Sequence, residues 1–174
     1  IADYSKNKTI LGYKQWIWLE EKLSQKFDIR VIVSSFQVLP LDHGWEKWAN
    51  FPLEQKRLYS LVKKITSSDT LIISGDRHKG GLYKKESLVE LTSSSLNKPV
   101  KAARISNILR YVPEFIVNFI PKSTRELLVE NDKLLTTEIY NFENFGLIKI
   151  NTESGEVEIS LNDINGDNIF SDKI

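Results

Sequence analysis

Thr70-Leu-Ile-Ile-Ser-Gly-Asp-Arg-His78 is the stretch on which the fold turns. Thr70 to Ser74 is a short apolar run rich in β-branched residues, which predicts a strand buried on both faces. Working outward, Ser67-Ser-Asp69 reads as a turn, and Pro52 stands where a helix opens without losing a hydrogen bond. Leu53, Leu58, Leu61, Val62 and Ile65 carry helical spacing from there to about Thr66. Before that helix, Arg30-Val-Ile-Val-Ser34 is a second β-branched run. Strand, helix and strand make a crossover unit, which predicts two parallel, neighbouring strands. Their C-terminal ends then share one edge, where open α/β sheets bind ligands.

That edge is where the chemistry gathers. The connection Ser35 to Phe51 holds Gln37, Asp42, His43, Trp45, Glu46, Trp48 and Asn50, and the second strand is followed by Asp76 and His78. The chain has only two histidines, and both fall on these two loops. In extended backbone, residues i and i+2 project to one side. A carboxylate and an imidazole at 76 and 78 would then face a common point, suited to a metal ion at about 2.0–2.2 Å. Gly75 is read as the hinge for a sharp turn there.

Further out, Leu11 to Phe27 reads as an amphipathic helix with a stripe through Leu11, Gln15, Trp18, Leu19, Leu23 and Phe27. Leu82-Tyr83 and Leu88 to Leu91 read as a hairpin about the charged turn Lys84 to Ser87, with Thr92 to Asn97 a polar loop. Ala102 to Ile120 reads as short helical pieces, and Phe145 to Ile150 with Val157 to Leu161 as an antiparallel hairpin about Gly155. The polar tail Asn162 to Ile174 is expected to fray. Residues 1–174 therefore read as a single α/β domain.

Composition narrows the function. The chain has 174 residues, 41% apolar and 27% charged, as in a globular protein. Its 24 basic and 23 acidic side chains leave a net charge of +1. No strong field therefore points to nucleic acid or an anionic membrane. The absence of cysteine excludes disulfides and thiolate chemistry. No apolar run is long enough to span a bilayer. The chain contains no methionine and begins at Ile1 without a signal-like segment, so we expect a piece of a longer product.

Each chemical reading has a plainer counterpart. His43 and His78 are equally readable as hydrogen-bonded filler, and Asp76 as a turn residue. Arg77 reads as a phosphate fork or a solvated side chain. Trp45 and Trp48 read as a stacking pair or as packing, and Lys98 to Arg110 as a contact for a polyanion or a solvated basic face. Lys79-Gly80-Gly81 is too short for a phosphate-cradling loop of Walker type.

Several motifs nonetheless stand in one order. Leu11-Gly12, Gln15 and Trp18-Leu-Glu20 are followed by Val33 to Val38, Asp42-His-Gly-Trp-Glu-Lys-Trp48 and Asn50-Phe-Pro52. Ser74-Gly-Asp-Arg-His78, Glu90-Leu-Thr-Ser-Ser94 and Asn144-Phe-Gly146 come after them. Together they resemble the PhoD-like phosphatases, the alkaline phosphatase D branch of the metallophosphoesterases. The resemblance implies an α/β fold, the C-terminal half of a metallophosphoesterase-like sandwich of two sheets flanked by helices. It implies hydrolysis of phosphomonoesters or phosphodiesters at a multinuclear centre of iron and calcium ions. Asp76 and His78 would be metal ligands, while Gln37 and His43 would line the same pocket and orient substrate or water. The family's earlier motifs would precede residue 1, so the partner is the missing N-terminal half of the same domain. The substrate would be a small phosphoester, with no nucleic acid. Alone, the chain is expected to bind metal weakly, turn over phosphoesters at background rate and expose an apolar sheet face or edge. Export to the periplasm or beyond would fit the family. The alternatives are a non-catalytic α/β module for a polar or phosphorylated ligand, and a purely structural domain.

Overall fold

A computed structural model describes residues 2–5, 7–65, 70–99, 119 and 132–174. Helix α1 (Gly12–Ser24) leads into strand β1 (Arg30–Ser34), and α2 (Pro52–Ile65) into β2 (Thr70–Ser74). Then come β3 (Gly80–Lys85), β4 (Leu88–Ser93), β5 (Asn144–Ile150), β6 (Val157–Asp163) and β7 (Asn168–Lys173). The first four strands form one sheet in the order β1-β2-β4-β3, and the last three form another, β5-β6-β7. The expected crossover is present: β1 and β2 are parallel neighbours, Arg30 opposite Thr70 and Ser34 opposite Ser74. The α/β class and the two sheets stand as read. The described helices pack on one outer face only.

Period-2 alternation explains the layering. Leu71, Leu82, Val89 and Leu91 point from the larger sheet toward Val157, Ile159 and Leu161 of β6, forming one buried core. Ile72, Tyr83 and Leu88 point the other way, toward Trp16, Leu23, Leu58 and Val62 of the two helices. The sheets meet closely where a side chain is missing: a Cβ on Gly80 would lie 2.4 Å from a Leu161 methyl.

Three readings need correction. The buried face of α1 runs through Trp16 and Leu23, whereas Trp18 is 57% and Phe27 53% exposed. Trp16 wins because its indole N–H donates to Glu54 (2.7 Å), its ring meets Trp48 edge-on and Arg57 lies over it. The hairpin turn shrinks to Glu86-Ser87, with Lys84 and Lys85 joining β3. The tail does not fray. Asn168–Lys173 forms β7 on β6, with Phe170 packed against the inter-sheet core. The stretch read as helical pieces, 102–120, lies outside the described residues apart from Phe119.

Among the described residues β1 pairs only with β2, and its outer edge is open. Val31 and Val33 stand in register with Leu71 and Ile73 but project beyond the smaller sheet, and Val33 is 77% exposed. The far edge is covered: residues 134–140 run along β3, bridging Leu135 to Tyr83 and Tyr140 to Gly80.

Candidate functional site

The parallel pair brings the loop bases together as its topology requires. A Cβ on Gly75 would touch Ser35 O at 3.8 Å and Ser94 Cβ at 3.7 Å, so the segments after β1, β2 and β4 meet there. Those are ordinary contacts, and Gly75 has no left-handed backbone. The left-handed residues are Asp76 (φ 59°) and His78 (φ 54°). This corrects the extended geometry expected for 76–78. Two non-glycine residues in that region cost of order 1 kcal/mol or more each, a strain that gathers at working sites. The coil turns Arg77 inward, 5% exposed, and leaves Asp76 at the surface. The Arg77 N–H donates to Ser94 Oγ (2.8 Å), and Ser95 Oγ donates to His78 O (3.1 Å).

His78 Nδ1 lies 2.7 Å from Lys98 O. A carbonyl only accepts, so Nδ1 carries the proton and Nε2 of the neutral ring keeps its lone pair. A backbone carbonyl behind a metal-binding histidine orients the ring in this way. His43 is built in the opposite sense. Its Nδ1 accepts the Trp45 N–H (3.1 Å), so its ring proton sits on Nε2 as a donor. His43 is 5% exposed, and the buried Lys47 ammonium donates to its carbonyl oxygen. It belongs to a shallow concavity lined by Leu41, Asp42, Lys47 and Asn50. No described hydrogen bond joins it to Asp76 or His78. Among the described residues, no three histidine or carboxylate side chains are grouped to hold a metal.

Gln37 is 1% exposed and sits in a buried chain of polar groups. Its Nε2 donates to Thr92 Oγ1 (2.8 Å), Thr92 and Ser74 hydroxyls are 2.9 Å apart, and Ser74 donates to Glu90. The only consistent direction runs from Gln37 through Thr92 and Ser74 to the carboxylate. Glu90 is fully buried on β4; burial pushes its carboxyl up to about 7 against the pull of the Ser74, Leu39 and Val38 donors. Sequence reasoning missed the weight of Glu90, and also Asp132, because both owe their surroundings to distant segments. The one signal was a lone charge inside the apolar run Leu88 to Leu91. Trp48 is buried packing and Trp45 is half exposed.

No protein-family model matches the chain, and no curated protein matches it either. A solved structure of PhoD does, with a TM-score of 0.59 and 14% identity over 88% of this chain. The fold is PhoD-like. At that identity the likeness speaks for architecture alone, and the chain spans 30% of that PhoD chain.

Proposed function

We propose that the chain is part of a metal-dependent phosphoester hydrolase, with Asp76 and His78 as two of its ligands. The observation that carries this reading is the left-handed turn closing β2, where a surface carboxylate and an Nε2 lone pair stand two residues apart. One oxygen and one nitrogen donor fit a borderline or hard ion as part of a site, and the other donors would come from outside the described residues. The metal ions, iron and calcium by the resemblance, would supply Lewis acidity toward the phosphoryl group. The chain's own residues bind and orient. His43 fixes one side of the loop and Gln37 steadies its floor. Both are buried, so they act on a ligand through the residues in front of them. The remainder of the catalytic domain, the native substrate and export from the cytoplasm belong to the same proposal.

Titration of the isotope-labelled chain with Zn²⁺, Ca²⁺ and Fe²⁺ tests it. With two histidines in the protein, their ring signals are readily assigned. We expect at least one ion to shift or broaden His78 Nε2 selectively, with affinity falling at least tenfold in Asp76→Asn and His78→Ala. A His78 signal indifferent to millimolar levels of all three ions would refute the ligand assignment. The lack of a three-donor group among the described residues favours a second reading, a non-catalytic module for a phosphorylated ligand. Calorimetric binding of inorganic phosphate without any metal would select it.

A further inference from the structure

Between Gln37 and His43 the backbone does something no local motif requires. Val38 N–H donates to both oxygens of Glu90 (3.0 and 3.1 Å), and Leu39 N–H to one of them (2.5 Å). Pro40 has no N–H to give. Leu41 N–H and Asp42 N–H then donate to a single oxygen of Asp132, the second at 2.9 Å. Every amide hydrogen from 38 to 42 thus ends on one of two buried carboxylates, 0% and 6% exposed. The carboxylates are themselves fixed by the sheet. Glu90 is central in β4. Asp132 also accepts from Leu134 N–H (2.9 Å), where the chain runs along β3.

We propose that Glu90 and Asp132 are positioning residues that set where Gln37 and His43 stand. Glu90 acts on Gln37 twice, through the neighbouring amides and through the Ser74–Thr92 relay to its side chain. Asp132 acts on His43 through the amides of the two residues before it. A loop with exposed side chains, Leu41 at 49% and Asp42 at the surface, is thereby held as a strand is held. Val38 and Leu39 are also packed in the core, and Gln55 donates to Val38 O (2.6 Å). The carboxylates therefore add to a hold that side-chain burial shares, and they alone take the amide hydrogens. The placement stands apart from the proposed chemistry. Its consequence for a ligand rests on that reading.

The test is nuclear magnetic resonance on the 174-residue chain. Asp132→Ala should shift the His43 ring signals and speed amide exchange at Leu41 and Asp42 at least tenfold, leaving His78 unmoved. Asp132→Asn, which keeps an acceptor oxygen, should restore the His43 signals. Glu90→Ala should do the same to the Gln37 side-chain amide and to amides 38 and 39, with Glu90→Gln restoring them. Should the alanine variants fail to fold, exchange in the unaltered protein decides: the four amides should be protected at least a hundredfold. Exchange at the rate of an open loop, or a His43 ring indifferent to Asp132→Ala, overturns the proposal. A His43 that moves while His78 ignores every metal leaves the positioning intact and sinks the hydrolase reading. The converse result keeps the hydrolase reading and sinks the positioning.

Discussion

Glu90 and Glu54 show one residue type driven in opposite directions by its surroundings. Glu90 lies wholly out of water, and burial raises its carboxyl to about 7. Glu54 also meets desolvation that raises it, but donors from Thr9, Trp16, Ile10 and Leu11 together hold it below the usual range. The signs for stability follow. A raised native value favours the fold fully below the unfolded value of about 4.5, and that share is lost as pH climbs through 7. We expect Glu90 to forfeit on the order of 3 kcal/mol of stability between pH 4.5 and 8, an upper figure for so buried a group. Urea denaturation of the wild-type chain and Glu90→Gln across that range should diverge accordingly, the wild type weakening more. Parallel curves would show that the carboxyl titrates normally. Little of this was legible in the sequence. Val38 lies 52 residues from Glu90 and Leu41 lies 91 from Asp132, so no local pattern announces either contact. The left-handed backbone at Asp76 and His78 is equally invisible to composition, since glycine beside them was the more obvious hinge.

At the scale of elements the reading was better, because periodicity reports burial directly. Arg30 to Ser34, Pro52 to Ile65 and Thr70 to Ser74 declared themselves through spacing, and their parallel pairing follows from chain connectivity. The misplaced features are those where a tertiary partner outvotes the local pattern. Trp16 replaces Trp18 on the inner face of α1 because Glu54 and Trp48 wait for it. β7 forms from a polar tail because β6 offers a free edge. Among the described residues, β1 carries an unpaired edge with Val33 exposed, an apolar margin of the kind that invites association. Val33→Lys should change stability by no more than about 0.5 kcal/mol, as a surface substitution does. It should also lower the growth of light scattering with protein concentration. Equal scattering from both proteins would show that this edge is not what makes the chain self-associate.

For the whole molecule, the larger sheet is the middle of three layers, and β2 is one of its two central, mostly buried strands. Leu71 serves the inter-sheet core and its neighbour Ile72 serves the helices, both wholly hidden. Two faces of a single strand therefore hold apart, and hold up, two separate apolar masses. On heating, tryptophan fluorescence from Trp16 and Trp48 reports the helical side, and amide exchange in β6 reports the other. We expect the same midpoint from both, where two midpoints would mean that each mass melts on its own. A party wall has this property: neither room can be demolished while the other is kept. Damage on the helical side should therefore be felt across the molecule, even by residues that touch nothing altered.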